Sequence, residues 1–391
     1  MLRVLGLEEE IMQVLDKCLA CGNDRLEEVV DLGDQPLANS FTNLPNETLE
    51  RFPLRLNFCS VCTHLQLSHC VNRNEIFDEY IYVSGTTKTL RQDFRSFALE
   101  MTDKHGVGRV LDIACNDGSQ LDAFAELGWQ TIGIDPAKNL FEISSKKHEI
   151  HCEYLSEKHV ALGEFDLIVA QNVLAHTDDP LGFLRIAGKL GNNIYIQTSQ
   201  AMMIFDNQFD TIYHEHLSFF SENSMKVLAE KAGLVLSGVS MREIHGGSFL
   251  FQITKSGVQI EPTNIVTNEV VKAFAVKTKR ILLELTLAIE SIAREGIPIV
   301  GYGAAAKGMT VLNSSGARLD VIIDDSSFKQ GKYAPGSGTP IAPIDRLLEM
   351  PETICLIPLA WNFADEILSR VKAVYHGEVR LLRYFPQVEL S

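Results

Sequence analysis

Polar and apolar positions follow three rhythms along this chain. Up to about residue 78, short period-two runs such as "PLRLNFC" stand between turn residues, as in small half-buried strands. "FDEYIYVSGTTKTLRQDFRSFALEMTDKHG" then reads as a loop leading into an amphipathic helix. Beyond it strands and helices alternate. "GRVLDIACNDG" is an apolar strand with a Gly-ended turn, and "SQLDAFAELG" is a helix closed by Gly128. "WQTIGIDP", "EFDLIVAQNVLAHTDDP" and "NNIYIQTS" are further strands. This order predicts a parallel, doubly wound sheet covered on both faces. "LSGVSMREIHGGSFLFQITKSG" returns to period two and is expected to close an edge of that sheet with antiparallel strands.

From about Val270 the rhythm changes again. "NEVVKAFAVKTKRILLELTLAIESIAREG" predicts one long amphipathic helix, and "IPIVGYGAAAKG", "LDVIIDDS" and "ETICLIPLAW" predict a second α/β unit. The expected fold class is α/β in three parts: a small module over 1–78, a Rossmann-like domain over 79–269 and a second Rossmann-like domain over 270–391. Both larger parts open with a strand, a glycine-bearing turn, a helix and a strand ending in Asp.

Composition narrows the chemistry. The 391 residues are 46% hydrophobic and 22% charged, with a net charge of −16. That charge opposes a nucleic-acid partner, which needs a basic face. The sequence has no 18-residue apolar run free of charges, so no membrane span is expected, and its start lacks a signal-peptide cleavage site. Four of the eight cysteines form two pairs, Cys18-x2-Cys21 and Cys59-x2-Cys62. Four thiolates in two knuckles suit a closed tetrahedral zinc site that helps a short module fold and takes no part in catalysis. A redox pair would need only one such motif. His64 and His69 are then bystanders, and scattered remaining cysteines suit a reducing compartment, with cytoplasm as the expectation.

The turn "LDIACNDG" sets Asp112 at a strand end and Gly118 at the next helix start, and "GIDP" sets Asp135 at the end of the following strand. An acid there can accept both ribose hydroxyls, so the arrangement describes an NAD or an S-adenosylmethionine site. The G-x-G-x-x-G fingerprint is absent, which counts against a pyrophosphate pressed onto the backbone. "FDTIYHEHLSFFS" packs Tyr213, His214, Glu215 and His216 together. They could be metal ligands, an acid/base set or a hydrogen-bonded patch. On an extended segment neighbours point to opposite faces, so only His214 and His216 would share a side, which weakens the metal reading. In "IVGYGAAAKGMTVLNSSG" a G-x-G turn precedes Lys307. It could hold a pyrophosphate with one lysine, or it could be a turn that only packs.

The paired cysteines, "DLGDQPLANSF", "FDEYIYVSGTT", "NDG", "NVLAH", "FDTIYHEHLSFFS", "HGGS", "GYGAAAKGMTVLN", "KQGKYAPGSGTPI" and "WNFADEI" occur in that order. This succession resembles the sugar C-methyltransferases of deoxysugar biosynthesis over nearly the whole chain, with a class I methyltransferase domain at its centre. The resemblance implies S-adenosylmethionine and structural zinc as cofactors and a nucleotide-linked 4-keto-deoxyhexose as substrate, methylated at carbon 3. Asp112, Ala114, Asn116, Asp117 and Gly118 would cradle the methionine end. Asp135 with Pro136 would meet the ribose, and Gln171 and Asn172 would lie beside it.

His216 would be the base, with Tyr213, Glu215, His176 and Tyr80 or Tyr82 in the same site, and His214 behind them. His245, Gly246, Gly247, Ser248, Tyr302, Lys307 and Lys332 would meet the nucleotide-sugar. The chain departs from the family pattern at Ala114, where a turn glycine is usual, and at Phe249-Leu250, where Leu-Arg is common. A monomer is expected. The alternatives are an O- or N-methyltransferase, an NAD-dependent oxidoreductase using the Gly301–Gly308 turn, and a zinc-bearing scaffold without activity.

Overall fold

A computed structural model describes residues 11–72, 83–86, 88–198 and 202–391, the side chains of Thr86 and His245 excepted. Tyr80 and Tyr82 lie outside the described residues. The early strands are β1 (Met12–Val14), β2 (Leu26–Gln35), β3 (Phe52–Cys59), β4 (His64–Leu67) and β5 (His69–Val71). Next come α1 (Lys88–His105), β6 (Arg109–Ile113), α2 (Ser119–Glu126), β7 (Gln130–Ile134), α3 (Lys138–Ser144) and β8 (Glu149–His151). They lead to β9 (Leu167–Gln171), α4 (Pro180–Leu190), β10 (Ile194–Thr198), α5 (Met203–Asp206) and β11 (Ser218–Phe219). The chain continues through α6 (Glu222–Lys231), β12 (Val235–Arg242), β13 (Ser248–Thr254), α7 (Asn268–Arg294), β14 (Ile299–Tyr302) and α8 (Ala306–Ser315). It ends in β15 (Val321–Ile323), β16 (Ile341–Ala342), β17 (Thr353–Pro358), α9 (Ala364–Val374), β18 (Glu378–Arg383) and β19 (Glu389–Leu390).

The chain divides into two compact units that interleave in sequence. The first takes residues 1–26, 61–200 and 217–265, and the second takes 27–60, 201–216 and 266–391. In the first, a seven-stranded sheet runs in the order β12-β13-β10-β9-β6-β7-β8. Strands β6 to β10 pair in parallel, and β13 joins β10 antiparallel, as the period-two run at the edge implied. One face is sealed by α1 and α2 through Phe97, Phe124, Trp129 and Tyr195, with Leu250 in the same cluster. Phe97 meets Phe124 edge-on at 6.2 Å and Phe124 meets Trp129 at 5.5 Å. Such pairs add about 0.5–1.5 kcal/mol each beyond the area they bury.

The second unit carries a six-stranded sheet ordered β16-β15-β14-β17-β18-β19, parallel except for β19. Its apolar layer includes Val300, Ile323, Leu356, Val371 and Leu381. The long helix expected after Val270 is α7, with Phe274, Ile281, Leu285 and Ile289 on its buried stripe. Within this unit "PLRLNFC" forms most of β3, whose burial alternates from Phe52 to Leu56. Among the described residues no helix is long and apolar enough to cross a membrane.

Two sequence expectations change at the level of elements. The strand containing "IVAQ" stops at Gln171, and His176 lies in a separate 3-10 turn, Leu174–His176, rather than at a strand end. Asn172, with φ of +57°, breaks the strand between them. The "YHEH" stretch is not extended either. It is a bend and turn between the 3-10 turn Phe209–Thr211 and β11, so the alternation argument used for it does not hold.

Candidate functional site

Cys18, Cys21, Cys59 and Cys62 bring their Sγ atoms within 4.8 Å of one another, and Cys18, Cys59 and Cys62 are buried. Hydrogen bonds to neighbouring carbonyls fasten the loops: Lys231 Nζ donates to Cys21 O at 2.7 Å and Asn223 Nδ2 to Cys62 O at 3.1 Å. Four clustered sulfurs fit a structural zinc ion, which they would hold as thiolates with every position taken by protein. His64 is not one of the four clustered ligands, its ring nitrogens facing Ser224 Oγ and Ser218 Oγ.

In the first unit the β6–α2 turn is shaped by backbone in the left-handed region. Ala114, Asn116 and Gly118 have φ of +65°, +53° and +82°. That conformation costs an L residue about 1–2 kcal/mol, so Ala114 stores strain that the family's glycine would not. Asp135, at the tip of β7, locks the turn: its Oδ2 accepts Asn116 N–H at 2.8 Å and its Oδ1 accepts Ala137 N–H at 2.9 Å. Spacing along the chain points only to a ribose acceptor at Asp135 and carries no mark of this second task. Asn116 Oδ1 accepts Ser84 N–H at 2.9 Å, while Asp117 accepts from Gly85 N–H and from Ser119. These two side chains therefore hold the loop before α1 against the turn.

Burial, and after it the charges of Asp135 and Asp117, push the Asp112 carboxyl well above the usual carboxylate range. Burial also raises Asp135, against the pull of its two N–H donors. Three acids around one turn suit a cationic ligand and repel a pyrophosphate, so the residues present fit S-adenosylmethionine with its sulfonium and ammonium groups. Pro136 follows the acid directly, Gln171 ends β9, and Asn172 just beyond it donates its N–H to Gln197 O at 2.6 Å. Burial holds the His176 ring near a pKa of about 4, so it is neutral at ordinary pH.

Gly246 and Gly247 have φ of +87° and +103°, a turn no other residue type adopts easily. Ser248 opens β13, and its Oγ lies 3.4 Å from Ile244 O. Phe249 and Leu250 are buried at 2% and 4% exposure, so both positions after Ser248 are part of the apolar core.

The "YHEH" turn belongs to the second unit. His216 Nδ1 donates to Thr211 O at 2.8 Å. A carbonyl only accepts, so the proton sits on Nδ1 and the Nε2 lone pair receives the Tyr213 hydroxyl at 2.7 Å. Their rings lie 4.0 Å apart. Glu215, 7% exposed, accepts from Asn39 Nδ2 at 2.6 Å. His214 turns away from that pair and donates from Nε2 to Phe52 O at 3.1 Å, tying the turn to β3.

Beneath the turn, Thr310 Oγ1 donates to Ile212 O at 3.0 Å. Buried Asp210 accepts from Trp361 Nε1 at 2.6 Å and from Tyr384 at 3.3 Å. Burial raises its carboxyl, and Lys307 and these donors oppose the rise. Asn39 stood inside "DLGDQPLANSF" with no role assigned. Asp210 and Trp361 lie in "FDTIYHEHLSFFS" and "WNFADEI" and Tyr384 in no motif, and nothing local marks their link, which spans more than a hundred residues.

The second glycine turn, β14 to α8, repeats the lock of the first. Asp324 Oδ2 accepts Ala304 N–H at 2.7 Å and its Oδ1 accepts Ser326 N–H at 2.8 Å. Here a lysine is added: Lys329 Nζ lies 3.5 Å from Asp324 and donates to Ala304 O at 2.8 Å. Tyr302 donates to Asp325, which pairs with Arg370, and burial followed by the Asp325 charge pushes its phenol up to about 12. Lys307 stands over the Trp361 ring at 5.5 Å. Lys332 lies in the turn before β16 and is half-buried.

Comparison with known proteins agrees with this geometry. Residues 18–77 match a family model described as a zinc binding domain, 84–237 a methyltransferase domain, and 243–386 a C-methyltransferase C-terminal domain. The chain is similar over 97% of its length, and 97% of the relative's, to C-methyltransferase NovU of Streptomyces niveus, at 27% identity. It is 30% identical to a ubiquinone biosynthesis O-methyltransferase of Xanthomonas campestris over 23% of this chain and 42% of that one. Magnesium protoporphyrin IX methyltransferase from Synechocystis with bound SAH shares 42% of this chain and 83% of its own, at 13% identity and a TM-score of 0.36.

Sheet order and family models define the class: an S-adenosylmethionine-dependent methyltransferase with a class I Rossmann-like domain. More particularly, the chain is a C-methyltransferase with a zinc-binding module.

Proposed function

We propose that this enzyme methylates carbon 3 of a nucleotide-linked 4-keto-deoxysugar and that His216 takes the proton from that carbon. The observation that carries the reading is the buried Tyr213–His216 pair, whose tautomer is fixed by Thr211 O. A carbon beside a ketone loses a proton only when a base meets it and a donor steadies the enolate oxygen. His216 Nε2 offers the lone pair, and Tyr213 offers an O–H that can pass to the enolate oxygen. Bound S-adenosylmethionine supplies the methyl group that the enolate attacks.

Asp112, Ala114, Asn116, Asp117, Gly118, Asp135, Pro136, Gln171 and Asn172 would hold the cofactor on the first unit. Glu215, kept in place by Asn39, would accept from a sugar hydroxyl, and His176 would contribute a neutral ring. Lys307 and Lys332, the turn from His245 to Ser248 and the region of Tyr302 would meet the nucleotide-sugar. Tyr302 would act there through its ring, since its hydroxyl is held by Asp325.

The test uses labelled S-adenosylmethionine with dTDP-, GDP- and CDP-linked 4-keto sugars. His216→Asn should lower turnover by about 100- to 10,000-fold, the range of a lost general base, while cofactor affinity stays within twofold. In D2O without cofactor, the wild type should place deuterium on carbon 3 and the variant should not. Methyl transfer without such exchange would point to the O- or N-methylation alternative. Undiminished turnover in His216→Asn would remove it from the base role.

A further inference from the structure

Away from both glycine turns, "HCEYLSEKH" gathers a second set of metal-ligating side chains. His151 ends β8, Glu153 follows it, and His159 lies in the 3-10 turn Glu157–Leu162. One ligand atom from each lies within 4.8 Å of the others. His159 is 2% exposed, with its Nε2 3.0 Å from Glu153 Oε1, and the two imidazole rings are perpendicular at 5.7 Å. The Nε2 atoms of both histidines are buried and make no well-directed hydrogen bond. Burying such nitrogens beside a carboxylate is costly unless something binds them.

We infer that His151, Glu153 and His159 form a second zinc site, with nitrogen and oxygen donors in contrast to the four thiolates. Two imidazoles and one carboxylate are a donor set zinc accepts, and ligand atoms around one ion stand a little over 3 Å apart, roughly the Glu153–His159 spacing. His159 Nδ1 accepts the Ser156 N–H at 3.0 Å and also lies 3.1 Å from Ser156 O. An ion on Nε2 would move the proton to Nδ1, which would then give up the Ser156 N–H and donate to Ser156 O, the usual outer support of a metal-bound imidazole.

Two charged neighbours bear on the site. Glu149 Oε1 lies 3.4 Å from His151 Nε2 and offers a further carboxylate. Lys158 pairs with the other Glu153 oxygen and opposes a cation, but its side chain is 64% exposed and can swing into solvent. The ion would clip a three-residue edge strand to the turn that follows it. Because Asp135 N–H donates to His151 O at 3.1 Å, the clip also braces the tip carrying the ribose-facing acid.

The test counts zinc in full-length protein, saturated with zinc and then freed of excess by gel filtration. The wild type should retain two ions per chain, and His151→Ala and Glu153→Gln one each. Both substitutions fall outside the tightly packed core, so folding is checked by melting temperature in the same samples. Lys158→Ala should hold the second ion against several-fold more chelator. Cobalt substitution identifies the ions, since only the thiolate site gives a sulfur-to-cobalt charge-transfer band. A wild type that saturates at one ion, or variants that both keep two, would overturn the inference.

Discussion

Asp135 and Asp324 each stand at the tip of a second strand and accept two backbone N–H groups, one from the preceding glycine turn and one two residues further along. The charge around the two locks differs. Asp135 sits with Asp112 and Asp117 around a turn that has three left-handed residues. Asp324 is countered by Lys329, which also donates to the turn's own carbonyl, Ala304 O. One backbone plan therefore carries two charge patterns: the first turn gathers three acids, and the second satisfies its acid from within. A strand, turn and acid identify the fold of such a unit, whereas the counter-charge identifies its use.

The strongest way to break this comparison is to remove each acid in turn. Asp135→Ala should lower S-adenosylhomocysteine affinity by about 100-fold, since a charged acceptor and the turn it locks are lost together. Asp324→Ala should change that affinity less than twofold and show instead as a lower melting temperature. Equal effects of both on calorimetric binding would end the distinction.

A change of pH sharpens it next. The Asp112 carboxyl is raised in the folded protein, so cofactor-free stability falls as pH rises through that raised value. A bound sulfonium favours the carboxylate, so binding releases a proton and S-adenosylmethionine affinity should weaken as pH falls through that raised value. Calorimetry in buffers of different ionisation enthalpy reads that proton directly.

The smallest effect concerns backbone. Gly303, at φ of +93°, would bring a Cβ within 3.2 Å of Ala360 Cβ, so Gly303→Ala should destabilise by about 1–2 kcal/mol. Ala114→Gly relieves a left-handed alanine against the greater chain entropy of glycine, and should stabilise by less than about 1 kcal/mol. Urea denaturation of both variants checks the opposite signs.

Much of the architecture was legible because it repeats a period. The strands β6, β7, β9 and β10, the long α7 and the four cysteines follow from spacing alone. Turns were harder: His176 left its strand, and "YHEH" proved bent, because a left-handed Asn172 and a 3-10 turn leave no mark on hydrophobic periodicity. The partners of the site were hardest. Asn39 reaches Glu215 across 176 positions and Trp361 reaches Asp210 across 151, and nothing local announces either bond.

That sequence distance has a consequence in time. Residues 201–216 group with the unit whose sheet begins only at Ile299, and their turn is held by Thr310, Trp361 and Tyr384. A nascent chain that has emerged through residue 265 already contains every strand of the seven-stranded sheet. It does not yet contain Thr310, Trp361 and Tyr384, which complete the hold on the segment leading into the Tyr213–His216 turn. During synthesis the seven-stranded sheet is thus complete in sequence before that turn gains its last supports, which arrive with the final third of the chain.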